Sequence, residues 1–271
     1  MKTLPKQPLL PPQSTALRLG ATGFVIGPLV DSLHNQCLLM YDVARITLPP
    51  SSPDPLLASS WVVPPLLAFA YIVLGYILPR IIEFLPIPKE NSSEKEDDVM
   101  EGRNNTNELR NKALLAVSST AAIIKLSEIL QTHDSIQIGA GVMNMDAGMK
   151  LQLMVLADAF QWVILDRTPV ALIAAAVTAV GGPLSELPFV SAGFWNYIPA
   201  AADYTPLTMI QPGSAIEVLL TSVLGDNYRG LMLSSITGPC YFAVTLDAIA
   251  LGRYFYSLEE GSNNVHPTKL L

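Results

Sequence analysis

The sequence predicts an all-α fold, a polytopic membrane protein built as a bundle of six transmembrane helices, and three observations support this prediction. The chain has 271 residues, of which 50% are hydrophobic and only 14% are charged, whereas a soluble domain usually carries about 25% charged residues. The charges are concentrated, with seven acidic residues between positions 86 and 112. The rest of the chain contains apolar stretches of about 20 residues, the length that a helix needs to cross a bilayer.

Six candidate helices follow one another along the chain, at residues 18–41, 59–85, 112–131, 150–166, 168–188 and 230–253. The second is the clearest, because Arg80 and Glu83 come only near the end of its apolar run. All six belong to a predicted membrane domain at 17–256, which contains a polar loop at 86–111 and a longer loop at 189–229. Residues 1–16 and 257–271 are the predicted N-terminal and C-terminal tails.

The fourth and fifth candidate helices are predicted to pack as an antiparallel hairpin. Only a short turn ending in Pro169 separates them, and proline suits the first position of a helix because its missing N–H would have no partner there. Small residues at 174–176 and 181–182 allow close approach of neighbouring helices. Residues 214–224 are apolar but too short to cross a bilayer, so we expect them to lie at the membrane interface or to re-enter.

The distribution of basic residues predicts the orientation, because cytosolic loops carry an excess of Lys and Arg. If the chain crosses six times, both tails share one side, which then holds twelve of the 16 Lys and Arg residues. The other side holds three, and Lys125 lies within the third helix. Both termini are therefore predicted to be cytosolic, and the sequons at Asn91 and Asn104 are expected to stay unglycosylated.

Polar side chains stand inside the predicted helices, although a charge at the bilayer centre costs about 2.5–3.5 kcal/mol on insertion scales. Two interpretations remain open. The side chains either form hydrogen bonds and ion pairs, Lys125 with Glu128 or with an acid on another helix, or they line a cavity. Asp31, His34 and Asn35 are spaced so that they would share one helical face. The full set of polar residues is Asp31, His34, Asn35, Lys125, Glu128, Asp158, Gln161 and Asp247.

Several function classes find no support in the sequence. No phosphate-binding glycine loop, HExxH or GxSxG motif is present, so we expect no enzyme activity. The two cysteines, Cys37 and Cys240, lie in apolar segments and are expected to be free, and the three histidines are scattered, so we expect neither a metal site nor a cofactor. No basic patch indicates a nucleic-acid partner.

Four short segments together resemble the Insig (insulin-induced gene) family. Residues 59–65, Ser-Ser-Trp-Val-Val-Pro-Pro, look like the family's signature at the start of its second helix, and Lys125-Leu126 is similar to a pair in its third. Residues 162–167, Trp-Val-Ile-Leu-Asp-Arg, are similar to the end of the fourth helix, and the run from Gly238-Pro239-Cys240 to Gly252-Arg253 resembles the sixth. The chain departs from the family in its acidic loop at 86–112, its long loop before the sixth helix, Val163 and Asp158.

The resemblance implies a six-span protein of the endoplasmic reticulum membrane that binds an oxysterol between its helices. It implies retention of sterol-sensing-domain partners, namely the Scap-like escort protein of the membrane-bound transcription factor SREBP and HMG-CoA reductase, and thus feedback control of sterol synthesis. Asp166 matches an acid that the family requires for escort binding, and Arg167 follows it. Residues implied for the sterol contact are Trp162, Gln152, Gln161 and Ala116, the two glutamines being able to orient a hydroxyl.

Two alternatives are kept beside the resemblance. The presence of Asp166 and Arg167 at this turn also has a purely structural explanation. Asp166 would cap the fifth helix, whose N-terminus favours negative charge, and Arg167 would contact lipid headgroups. The charges inside the helices are also compatible with a small-solute or ion transporter. A transporter requires Asp31, Lys125, Glu128, Asp158 and Asp247 to converge on one cavity, whereas a regulator does not.

Overall fold

A computed structural model describes residues 9–33, 37–50, 55–85, 101–133, 135–138 and 141–263. Within these ranges the chain forms six long helices, one short helix and six short strands. The helices are α1 (Gln13–Asp31), α2 (Val63–Glu83, with a π-helical turn at Val73–Ile77), α3 (Glu101–Thr132), α4 (Ala147–Leu165), α5 (Pro169–Ser191), the short α6 (Ala215–Leu224) and α7 (Thr237–Asn263). The predicted all-α class is confirmed.

The tight turn between the fourth and fifth helices is confirmed, but their predicted packing as a hairpin is wrong, because α4 packs against α3 and α7 whereas α5 packs against α7. The helix ends at this turn and at the start of α4 have local causes. Asp146 caps α4 by accepting a 2.8 Å hydrogen bond from the Met149 N–H. Thr168 caps α5 in the same way through the Ala171 N–H, and Pro169 occupies the first helical position. Both caps satisfy backbone donors that a helix leaves unpaired at its start.

Contacts between helix ends show that the long helices alternate in direction. Ser14 and Thr15, in the first turn of α1, donate hydrogen bonds to Glu259 in the last turns of α7. Arg253 of α7 pairs with Asp166, at the turn between α4 and α5. We call this the Asp166 end of the bundle. Arg80, Lys112, Arg167 and Arg253 lie toward it, as the predicted grouping of basic residues requires; the side of the membrane that it faces stays a prediction.

The opposite end of the bundle carries two small antiparallel sheets, and we call it the sheet end. Strand β1 (Leu39–Tyr41) pairs with β6 (Trp195–Tyr197), and β2 (Arg45–Leu48) pairs with β3 (Leu57–Ser60). A third hairpin, β4 (Ser135–Ile138) with β5 (Gly141–Asn144), connects α3 to α4.

Three predicted helices have wrong boundaries, and the sixth, expected at 230–253, is α7 at Thr237–Asn263. The first helix was expected to run to residue 41, but α1 ends at Asp31, and Leu39–Tyr41 is a strand whose pairing with β6 buries Leu39 and Tyr41. Asp31 is thus the last residue of α1. His34 and Asn35, which were expected to share its helical face, lie outside the described residues. The third helix starts at Glu101, not 112, because its polar first turns are stabilised by pairs such as Glu108–Lys112, 2.9 Å apart.

Among the residues that the structure describes, four helices are long and apolar enough to cross a membrane, which makes the chain a multi-pass membrane protein: Val63–Glu83, Thr106–Thr132, Ala147–Leu165 and Pro169–Ser191. Helices α1 and α7 are less apolar. For α7 the reason is its position, because it runs through the middle of the bundle against all five other long helices. Its polar residues Thr245 and Asp247 are 0% and 1% exposed and avoid lipid. The count of six spans remains a prediction.

Glycines allow α7 to approach its neighbours closely. A Cβ at Gly252 would lie 2.1 Å from the carbonyl oxygen of Gly75 in α2, and one at Gly182 in α5 would lie 2.4 Å from the Tyr241 ring. Ala174 and Ala175, also on α5, are fully buried. The predicted close packing of the small residues on the fifth helix is thus confirmed for these positions, whereas a Cβ at Gly181 would meet no atom within 4 Å.

We predict that Gly252→Ala destabilises the protein by about 1–3 kcal/mol, because the added methyl overlaps the α2 backbone, which cannot rotate away. Gly181→Ala is the matched control in a helix with open space, and we expect it to be neutral or to stabilise by about 0.5–1 kcal/mol. Unfolding of both variants in mixed detergent micelles, followed by circular dichroism, measures the difference. Equal effects of the two substitutions would contradict the packing described.

Candidate functional site

A cavity lies inside the bundle, in the half nearest the sheet end. Its walls come from the last turns of α1, the first turns of α2 and α7, and the later turns of α3 and α5. Leu67, Ile124 and Val244 line its apolar part, so the cavity is open to a largely apolar molecule.

Acidic and hydroxyl groups mark the sheet end of this cavity. The buried carboxylate of Glu186 on α5 accepts hydrogen bonds from Trp195 Nε1 (3.2 Å), Tyr197 Oη (2.7 Å) and Tyr241 Oη (2.8 Å). Tyr197 Oη also lies 3.1 Å from Thr237 Oγ1. Burial and the neighbouring Glu186 raise the pKa of Tyr197 well above its usual value, so its hydroxyl stays protonated and can donate.

A second carboxylate, that of Asp31, lines the same end and accepts a 2.6 Å hydrogen bond from Tyr41 Oη. The cavity is therefore amphipathic, with two carboxylates at one end and aliphatic side chains toward the middle of the bundle. Such a site suits a ligand with an apolar body and a hydroxyl group that donates to a carboxylate.

The sequence analysis did not single out Glu186, although a signal was present. It is an acid within the predicted fifth helix, close to its end, where a charge is commonly explained by the membrane interface. Its role depends on donors from β6 and α7, which lie nine to 55 positions away in the chain. Only the tertiary arrangement brings these donors together.

The residues implied for the sterol contact lie elsewhere, and within the described part of the chain none of them lines this cavity. Trp162 is half-buried in a cluster with the fully buried Ala116, and its Nε1 donates to the Thr168 carbonyl at 3.1 Å. Gln161 is buried and donates to Ser119 (3.0 Å) and Thr120 (2.9 Å) on α3. Gln152 is exposed on the outer surface of α4.

Asp166 is engaged within the chain. Its side chain is 5% exposed, one oxygen lies 2.5 Å from Arg253 Nη1, and the other accepts a hydrogen bond from the Thr168 N–H at 3.2 Å. The acid thus helps to hold the turn before α5, while Thr168 itself caps the helix. Arg167 is exposed, has a positive φ of 61°, and donates from Nε to the Val163 carbonyl at 2.6 Å.

The charged residues inside the helices have different partners. Lys125 and Glu128 form an ion pair on α3 with each other. Asp247 accepts a 2.7 Å hydrogen bond from Tyr71, and Asp158 is buried with one oxygen that has no partner among the described residues. Of the five acids and bases that a transporter would bring together, Asp31 alone lines the described cavity.

No family model matches this sequence, and no curated protein matches it either. Among solved structures, the chain is similar to the crystal structure of MvINS, a mycobacterial Insig homologue from Mycobacterium vanbaalenii, with 18% identity and a TM-score of 0.55. The match covers 91% of this chain and 96% of that one. A cross-linked trimer of an MvINS variant matches with the same values. The resemblance to Insig is thereby confirmed at the level of the fold.

We predict that Glu186→Leu destabilises the protein by about 1–3 kcal/mol or more, because Trp195, Tyr197 and Tyr241 would keep buried donors without an acceptor. Asp158→Leu is the matched control, since it removes a buried acid that has a partnerless oxygen, and we expect it to be neutral or stabilising. Unfolding of both variants in the same detergent gives the comparison, and an equal loss of stability would be evidence against the network around Glu186.

Proposed function

We propose that this chain, which has the Insig-like fold, is a non-enzymatic regulator of the endoplasmic reticulum membrane. In this proposal it binds a sterol, in the first place an oxysterol, and retains sterol-sensing-domain proteins such as a Scap-like escort or HMG-CoA reductase. The amphipathic cavity between α1, α2, α3, α5 and α7 is the observation that carries the proposal.

A sterol matches the polarity of the cavity. It is a rigid apolar plate with a hydroxyl group at one end, and the cavity is lined by aliphatic side chains along its length and by Asp31 and Glu186 at its sheet end. The hydroxyl would donate to one of these carboxylates, so we expect the ring system to point toward the middle of the bundle. Burial of the apolar rings supplies most of the affinity, and the hydroxyl supplies orientation.

The family resemblance suggests a second location, between α3 and α4, against Trp162, Gln161 and Ala116, with Gln152 outside it. Ala116 is fully buried, and Gln161 bridges to α3 through two hydrogen bonds. A sterol at this location would therefore have to separate α4 from α3 and replace those bonds. The cavity at the sheet end already combines apolar side chains with two carboxylates, which is why we favour it.

We predict that 25-hydroxycholesterol binds saturably to the purified protein in lipid nanodiscs. Val244→Trp should weaken this binding about tenfold or more, because the larger side chain fills the cavity. A tenfold loss corresponds to roughly 1.4 kcal/mol of binding free energy. Val180→Trp, on a side chain 68% exposed on the outer face of α5, is the control and should bind normally. Equilibrium binding of the tritiated sterol measures this.

Two outcomes of that experiment would revise the proposal. If Ala116→Trp abolishes binding and Val244→Trp does not, the sterol lies between α3 and α4. If the unmodified protein shows no saturable binding of 25-hydroxycholesterol or cholesterol, the proposed function is wrong.

Partner retention is proposed to use the groove at the Asp166 end, where Lys112, Asp166 and Arg253 line one surface. Because Asp166 is already paired with Arg253, a partner has to compete for this carboxylate. A sterol that binds the complex better than the separate proteins would then stabilise the assembly.

We expect Asp166→Asn to reduce capture of a sterol-sensing domain about tenfold, because it removes the charge of one charge-assisted hydrogen bond while keeping an oxygen for the Thr168 N–H. Arg253→Gln should preserve or increase capture, since it frees the carboxylate of Asp166. Co-purification from detergent extracts at matched expression measures both. If the two variants lose capture equally, the ion pair has a structural role and Asp166 does not contact the partner.

A further inference from the structure

The short helix α6 has its apolar side turned away from the protein. Four large aliphatic side chains lie on this outward face: Ile216, Val218, Leu219 and Val223, which are 58%, 68%, 61% and 57% exposed. Ser222 lies among them, and its hydroxyl donates to the Leu219 carbonyl within the same helix at 2.7 Å. The outward face therefore presents no polar group that needs water.

The charged residue of α6 is turned inward. Glu217 Oε1 lies 2.9 Å from Arg229 Nη2 and accepts from Tyr228 Oη at 3.2 Å, and its other oxygen accepts from the Gly213 N–H. The Gly213 N–H and the Arg229 guanidinium hold the pKa of Glu217 below its usual value, so it is ionised and its charge is met within the loop. A helix on a water-exposed surface has the opposite arrangement, with apolar residues inward and charges outward.

The position of α6 places this face at the edge of the bilayer. The carbonyl of Leu224, the last residue of α6, accepts a 2.5 Å hydrogen bond from Ser191 Oγ, and Ser191 is the last residue of the membrane-spanning α5. The outer side chains of α5, Val177, Val180 and Leu184, are exposed as well. Because α5 and α6 are packed together, the apolar surface of α6 continues the lipid-facing surface of α5.

Trp61 marks the same level of the membrane. It precedes the first residue of α2 at the sheet end and is 68% exposed. Tryptophan is enriched where membrane proteins pass from lipid to water. An apolar helix of ten residues at this level is long enough to lie along the interface and too short to cross the bilayer.

We infer that α6 is an in-plane membrane anchor, with Ile216, Val218, Leu219 and Val223 inserted among the lipids of the leaflet at the sheet end. The occupant of this face is lipid, because the face is continuous with a membrane span and its one hydroxyl is satisfied within the helix.

Membrane anchoring of α6 has a consequence for the cavity. Its inward residues Leu220 and Leu224 pack in the cluster that contains Leu39, Trp195 and Tyr197. Leu39 lines the cavity, and the other two flank the Glu186 network at its sheet end. Lipid around α6 thus holds in place the segment that closes the sheet end of the cavity.

The test uses single cysteine variants of the full chain in liposomes of phosphatidylcholine. Val218→Cys, Leu219→Cys and Val223→Cys probe the outward face, and the exposed Asp226→Cys, two residues beyond α6, is the matched control on the same side of the membrane. Mass spectrometry of the peptide that carries each site reads the labelling by a charged maleimide, so Cys37 and Cys240 can remain. Bimane attached to each site is then tested for quenching by acyl-chain brominated lipid.

We expect labelling of the three α6 sites to be about tenfold slower than that of Asp226→Cys, because a thiol in lipid forms little thiolate, and we expect bromolipid to quench their bimane. Labelling as fast as at Asp226→Cys would overturn the inference. A second combination of results would also overturn the inference: slow labelling, no quenching by bromolipid, and oxidative cross-linking of Val218→Cys between two copies of the chain. In that case a second protein molecule, and not lipid, would cover the outward face of α6. Folding of each variant is checked by its circular dichroism spectrum and elution volume, and Ile216→Cys replaces any variant that fails.

Discussion

The close approach of α7 to its neighbours is the constraint on which the rest of the structure depends. Gly252 and Gly75 bring α7 against α2 at backbone contact, and Gly182 brings α5 against Tyr241 of α7. In a membrane, helices associate mainly through packing and hydrogen bonds, because lipid is as apolar as the side chains themselves. Small residues at these crossings therefore determine which helices touch, and α7 becomes the centre of the bundle.

Burial of α7 explains how polar side chains are tolerated at this depth. Tyr71 donates to Asp247 across α2 and α7, and Thr120 of α3 donates to the Ala243 carbonyl of α7 at 3.1 Å. Gln161 extends the second link to α4. Each bond satisfies a group that would be costly in contact with lipid, and each also joins two helices. The outer surfaces of the bundle remain apolar. Contact with lipid excludes polar groups from the outside, and the same exclusion directs them into hydrogen bonds inside the bundle.

The cavity exists where this packing is incomplete. At the Asp166 end, α1, α4 and α7 are joined by the Arg253–Asp166 pair and the bonds of Ser14 and Thr15 to Glu259. Toward the sheet end the helices leave a space that Asp31 and Glu186 border. The strands β1 and β6, packed with α6, close this end. A ligand there would contact residues from most of the bundle, so its binding is able to influence how the helices associate, which is what the proposed regulatory role requires.

Much of the fold was predictable from the sequence, because membrane insertion depends on the composition of each segment taken alone. The apolar runs, the Asp166–Pro169 turn and the Insig-like motifs are local features, and they correctly predicted the short connection between α4 and α5, the membrane-spanning class and the fold. The end of α1 at Asp31, the cavity, the network around Glu186 and the pairing of Asp166 with Arg253 were decided only by the tertiary structure. Each of them depends on which helix faces meet. The hydropathy of a segment predicts whether that segment enters the membrane, but it does not predict which residues of a distant segment it will contact.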